Sequence, residues 1–248
     1  MKIKLVATTI LVGTLAGCQM DTNSMLNLGM QSAQIASLSD SDVKTLSDKS
    51  CVQMDSEAKI APENSAYSTR LKKITKALGD NINGTQVNYK VYLTDEVNAW
   101  AMANGCVRVY SGLMDKMTDN EVQGVLGHEL GHVALGHSKK AMQVTYTAQL
   151  ARGVIAASTN TAIANLTQSQ LGDLAEGIVN AQFSQKQETQ ADNYSFDFLV
   201  KKGLNPLGIA TAFEKLGGGE TTLLSTHPAS SDRAKNIRDK IQKMNQGK

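Results

Sequence analysis

Glu121-Val122-Gln123-Gly124-Val125-Leu126-Gly127-His128-Glu129-Leu130-Gly131-His132-Val133-Ala134-Leu135-Gly136-His137 decides the fold, because it sets an H-E-x-x-H sequence inside an apolar repeat. Residues four apart share one face of an α-helix, so His128 and His132 can grip a single metal ion. Glu129 sits about 100° round the helix from His128, close enough to take a proton from an attacking water. Two imidazoles and an adjacent carboxylate are the residue types of zinc-dependent hydrolysis. Val122, Val125, Leu126, Leu130 and Val133 supply a helical stripe that buries the helix. Three of the chain's four His fall here, which weighs against a chance match. The longer H-E-x-x-H-x-x-G-x-x-H pattern fails, because Leu135 and Ser138 stand where it needs glycine and histidine. His137 would lie roughly opposite His128 on a continued helix and is read as a helix-end residue.

Outward from this stretch, 248 residues are enough for one catalytic domain, or at most two small ones. Net charge is +2 and the basic residues are scattered, so no nucleic-acid partner is expected. Lys2 and Lys4 precede an apolar run from Leu5 to Leu15, too short to span a bilayer, and small residues follow. That is the pattern of a secretory signal. Leu15-Ala16-Gly17-Cys18 resembles the bacterial lipoprotein box, which implies a signal peptide over 1–17 and acylation of Cys18. Gln19 in place of Asp favours the outer membrane, facing the periplasm. Residues 18–38 are small and polar and read as a lipidated tether, with the folded domain over 39–248.

Ser39 or Asp40 caps a helix through roughly Lys59, and a second runs from about Ser65 to Leu78 with Leu71, Ile74 and Leu78 inward. Gly79 to Gly84 is turn chemistry. Cys51 and Cys106 are the two Cys left in an exported domain, most simply a disulfide, with two buried free thiols as the alternative. Closing that loop stabilises by roughly 3–5 kcal/mol in the chain-entropy model. Gln86 to Leu93 alternates as a strand, and Cys106 to Tyr110 is a second. Between them lies Asn98-Ala99-Trp100-Ala101. In zinc endopeptidases a strand over the metal helix offers backbone groups to an extended peptide; two simply paired strands is the plainer reading. From Ser138 to Asn180 the chain reads as core or surface helix, with a lid or membrane-facing segment as the alternative.

Asn180 to Leu199 reads as an amphipathic helix with Phe183, Ala191, Phe196 and Leu199 inward. Glu188 and Asp192 are four apart near that apolar side, where two unpaired carboxylates are costly. A metal would neutralise Glu188, and the N–H of a ligating imidazole would give Asp192 a partner. Leu204-Asn205-Pro206 starts a helix to Leu216, Gly217 to Gly219 makes a flexible break, and Arg233 to Met244 is a basic terminal helix.

Asn98-Ala99-x-Ala101, Gly105-x-Val107-x-Val109-x-x-Gly112-Leu113, His128 to His132, Glu188-x-x-x-Asp192 and His227-Pro228 with Arg233 together resemble the prenyl-protease/HtpX-type zinc metallopeptidases. The resemblance implies an α+β, mostly helical, zincin-like domain with a small β-sheet beside the H-E-x-x-H helix. It implies one Zn2+ per chain on His128, His132 and Glu188, Asp192 behind a ligand, Glu129 as catalytic base, and substrate backbone held along Asn98, Ala99, Trp100 and Ala101. His227 would steady the oxyanion, fill the open metal position at rest, or serve structure alone. The function implied is endopeptidase cleavage of unfolded or exposed envelope proteins, in quality control. Expected partners are protein and peptide substrates in the envelope, the outer membrane through the lipid on Cys18, and other envelope proteases or assembly factors. The rival reading is an outer-membrane assembly or chaperone-like factor that uses this fold without turnover.

Overall fold

Helix α1, Asp40–Glu57, starts where Ser39 accepts from the backbone N–H of Asp42 while the Asp42 carboxylate accepts from Ser39 N–H, a reciprocal cap. Helix α2, Ala66–Leu78, is capped by Ser65 and turns Leu71, Ile74 and Leu78 inward. The two-residue strands β1 (Asn81–Ile82) and β2 (Thr85–Gln86) form a hairpin. Its turn uses Asn83 and Gly84, both at positive φ, as a tight antiparallel connection requires. The computed structural model describes residues 38–155, 163–217, 222–227 and 231–247. The signal segment 1–17, Cys18, nearly all of the tether, Gly218-Gly219 and Pro228 lie outside the described residues.

Three further strands make the main sheet: β3 (Asn88–Tyr92), β4 (Ala99–Ala101) and β5 (Cys106–Tyr110), in the order β3-β5-β4. β5 runs parallel to β3 and antiparallel to β4, with Ala99 opposite Val109 and Ala101 opposite Val107. β4 goes beyond the sequence reading, which gave Asn98–Ala101 a substrate role but no place in a sheet. A three-residue strand buried on both faces carries no alternation to reveal it.

The remaining helices are α3 (Ser111–Lys116), α4 (Asp119–Ala134), α5 (His137–Ala151), α6 (Gln168–Val179), α7 (Gln185–Lys201), α8 (Gly208–Leu216), α9 (Thr222–Thr226) and α10 (Ser231–Gln246). Ser111 to Leu113 follow β5 directly and open α3. The helix expected from Asn180 begins at Gln185, because Ser184 and Gln187 close a capping box there. α4 does not continue to His137: Gly136 takes φ +75° and α5 starts afresh.

The sheet separates two hydrophobic clusters. Ala99, Ala101, Val107 and Val109 pack with α2, α4, α7 and α8 on one face. Tyr92, Trp100, Met102 and Tyr110 pack with α1, α5 and α6 on the other. Alternation along β4 and β5 therefore assigns each side chain to one cluster. Cys51 on α1 is disulfide-bonded to Cys106 on β5, Cα atoms 6.4 Å apart, so the expected pairing is present. Asp55, one turn on, takes Arg108 of β5 through both oxygens, at 2.8 and 2.9 Å. No helix among the described residues is long and apolar enough to cross a membrane.

Candidate metal centre

α4 is anchored by a capping box between Thr118 and Glu121 and is buried almost all round from Glu121 to His132. Its glycines allow that. A Cβ on Gly124 would stand 2.3 Å from the Ile209 backbone nitrogen of α8, and one on Gly131 would stand 3.0 Å from the Ala191 carbonyl of α7. The close approach of α7 brings Glu188 and Asp192 up to the histidines of α4.

His128 Nδ1 meets Asp192 Oδ1 at 2.8 Å. With that N–H given to the carboxylate, His128 Nε2 is left as a lone pair aimed into the site. There it lies 3.0 Å from His132 Nε2 and 3.2 Å from His227 Nδ1. Glu188 completes the group, with Oε1 3.4 Å from His132 Nε2 and 3.1 Å from His227 Nδ1. Donor atoms of His128, His132, Glu188 and His227 all lie within 4.8 Å of one another, and all four residues are buried. The residues fit a metal ion: three imidazole nitrogens and a carboxylate crowd together where a cation would relieve them. Glu129 Oε1, buried and without a hydrogen bond among the described residues, lies 3.5 Å from His227 Nε2.

Arg233 on α10 holds the outer side of this cluster. Its Nε and Nη2 bind Asp192 at 2.7 and 2.8 Å, Nη1 stands 2.7 Å from Glu188 Oε2, and its guanidinium lies over Phe213. Burial works against ionisation of Asp192, but hydrogen bonds from Arg233 and His128 keep its carboxyl below the usual range. Glu188 is likewise opposed by burial and held low by His132 and His227. Burial raises Glu129 against the pull of His227 and His128. It lowers His132 although Glu188 draws the other way.

Of the site residues expected from the sequence, His128, Glu129, His132, Glu188, Asp192 and His227 come together here. His137 sits at the start of α5 with Nδ1 3.1 Å from His132 Nδ1, outside the four-residue group. Phe183, expected on a helix, lies ahead of α7 with its ring 3.9 Å from that of His132. The clamp by Arg233 was not foreseen; its only signal was its spacing after His227. Asn98 to Ala101 lie along the sheet's edge, and two outward carbonyls there, those of Val97 and Ala101, are occupied. Ser138 donates to Ala101 O at 3.1 Å, and Leu223 N–H donates to Val97 O at 3.1 Å.

A helix carrying H-E-x-x-H, a carboxylate ligand donor from a second helix and a small sheet beside them define a zincin-like metallopeptidase. Residues 65–241 match Peptidase family M48, and the chain belongs to that family: it is a metalloendopeptidase, with proteins as substrates. It is 56% identical to the metalloprotease LoiP of Escherichia coli K12, an alignment covering 97% of this chain and 98% of LoiP. It is 51% identical to metalloprotease YcaL of the same strain over 96% of each chain. The beta-barrel assembly-enhancing protease of that strain is 29% identical over 67% of this chain and 37% of its own length.

Proposed function

We propose that this protein is a zinc endopeptidase of the bacterial cell envelope that cleaves unfolded or exposed segments of envelope proteins. The observation that carries the chemistry is the convergence of donor atoms from His128, His132, Glu188 and His227 within 4.8 Å, with the buried Glu129 carboxylate beside them. His128, His132 and Glu188 would hold zinc, and His227, whose Nδ1 lies in the same cluster, would compete with water for it at rest. Zinc there supplies a Lewis acid for the peptide carbonyl and lowers the pKa of water. Glu129 takes the proton of the attacking water and passes it to the leaving amine. Asp192 fixes the ring of His128, and Arg233 fixes Asp192. The backbone of Asn98, Ala99, Trp100 and Ala101 receives an extended peptide.

The envelope reading rests on residues 1–17 as a signal peptide, acylation at Cys18 and a tether over 18–38, with the domain from 39 onward. The Cys51–Cys106 disulfide supports an oxidising compartment. A second reading is an assembly factor that does not need turnover; the name of the beta-barrel assembly-enhancing protease supports only the assembly part of it. Zinc content and casein cleavage test both. Wild type is expected to carry about one zinc and cleave, and Glu188→Ala to lose zinc and cleavage. Glu129→Gln is expected to keep zinc and lose at least about 100-fold in rate. Wild type free of zinc after metal-replete preparation refutes the centre. Envelope function that survives Glu129→Gln selects the assembly reading.

A further inference from the structure

On the sheet face away from the metal helix, a cavity of about 520 Å³ opens at the Asn98 end of β4. Its rim carries four carboxylates, Glu57, Glu96, Asp173 and Glu176, and no Lys or Arg lines it. Asp173 and Glu176, both exposed on α6, form no ion pair among the described residues. Asn98 and Tyr110 line its floor. The Asn98 side chain accepts from Ala99 N–H through Oδ1, which fixes the amide so that Nδ2 turns the other way. Asn98 is only 2% exposed, yet Nδ2 donates no hydrogen bond among the described residues. Tyr110, 8% exposed, accepts from the Trp100 indole and likewise donates nothing there. Both groups can donate to an acceptor that enters the cavity.

A strand added to a sheet edge sends alternate side chains to opposite faces. A peptide on β4 would thus point some side chains towards the metal helix and others towards this cavity. We propose that the cavity is a specificity pocket for a Lys or Arg side chain of the substrate, its donors meeting peptide carbonyl oxygens. The inference rests on the reading of Asn98–Ala101 as the substrate strand. Met54 and Val179 in the wall suit the aliphatic stem of such a side chain. A bare metal ion fits less well. Among the described residues the group whose acidic and imidazole donors converge is the one at His128, and the rim acids are not part of it. Dispersed carboxylates suit a cation on a long flexible stem.

The test is peptide binding by fluorescence anisotropy on the zinc-loaded full chain carrying Glu129→Gln, which stops turnover. Otherwise neutral ten-residue peptides carry one Lys, or norleucine in its place, walked along every position. At one position the Lys peptide is expected to bind about fivefold tighter at low salt, an advantage lost at high salt and lost on adding Asp173→Asn with Glu176→Gln. The same walk with His227→Ala added keeps the measurement open if the resting site is shut. Equal binding of Lys and norleucine peptides at every position, or a preference that survives the double substitution, overturns the pocket while leaving the protease reading intact. No binding of any peptide to either background overturns the substrate strand, and the pocket with it.

Discussion

At the scale of single residues, the site depends on which nitrogen of His128 is left to face inward. Asp192 makes that choice by holding Nδ1 at 2.8 Å. Asp192→Asn is therefore expected to weaken zinc binding about 10–100-fold, measured by competition with a chromophoric chelator. His227 has its Nδ1 in the donor cluster, so in the proposed resting state it would compete with water and substrate. His227→Ala is expected to raise casein cleavage several-fold with zinc content unchanged. A fall in rate with zinc retained would instead mark His227 as an oxyanion donor. His128, Glu129 and His132 were legible because their relation is local, set by helical spacing alone. Glu188 and Asp192 were legible because two carboxylates on an inward face demand partners. Arg233, Phe183 and His137 were opaque in these roles, since their contacts depend on how α10, the segment before α7 and the start of α5 travel in space.

At the scale of elements, α1 is fastened to β5 twice, by Cys51–Cys106 and by Asp55 on Arg108. Burial pushes Asp55 up, but Arg108, Lys90 and Tyr92 bind its carboxylate and carry it down from 3.8 to about 2. A carboxyl depressed in the folded state stabilises above its unfolded pKa, and that contribution fades as pH falls from about 4 through about 2. Asp55→Asn is expected to cost up to about 2 kcal/mol at pH 7. It should also flatten the dependence of the urea midpoint on pH across that window; parallel acid limbs in both proteins would refute it. Between α4 and α8 the fit is steric. Gly124→Ala sets a Cβ 2.3 Å from the Ile209 nitrogen and is expected to destabilise by about 3 kcal/mol in urea unfolding. The sequence showed helix α4 but not why Gly124, Gly127 and Gly131 recur on it, because glycine's lack of a side chain acquires meaning only against a neighbour. The start of α7 was misplaced by about five residues although Ser184-x-x-Gln187 was there to mark it.

At the scale of the whole molecule, the candidate metal residues come from α4, α7 and the segment after α9, so one ion would tie together parts 99 residues apart in sequence. A ligand bound only by the folded chain raises its stability by mass action. Zinc is expected to raise the thermal midpoint of wild type in proportion to the logarithm of its concentration and to leave that of Glu188→Ala unmoved, as followed by calorimetry. An equal shift in both proteins would mean that zinc acts elsewhere. The general architecture was readable from helical periodicity and caps; the division into two clusters by a sheet with a short third strand was not, because it arises from register. The edge of that sheet also bears on how a substrate would enter. The outward carbonyls of Val97 and Ala101 already hold a hydrogen each, so an arriving peptide swaps one bond for another and gains little per swap. Residence then grows with the number of registers a segment can try in succession. A long slack polypeptide has many attempts and a short loop on a folded protein has few, so an edge used in the proposed way would sort its clients by persistence.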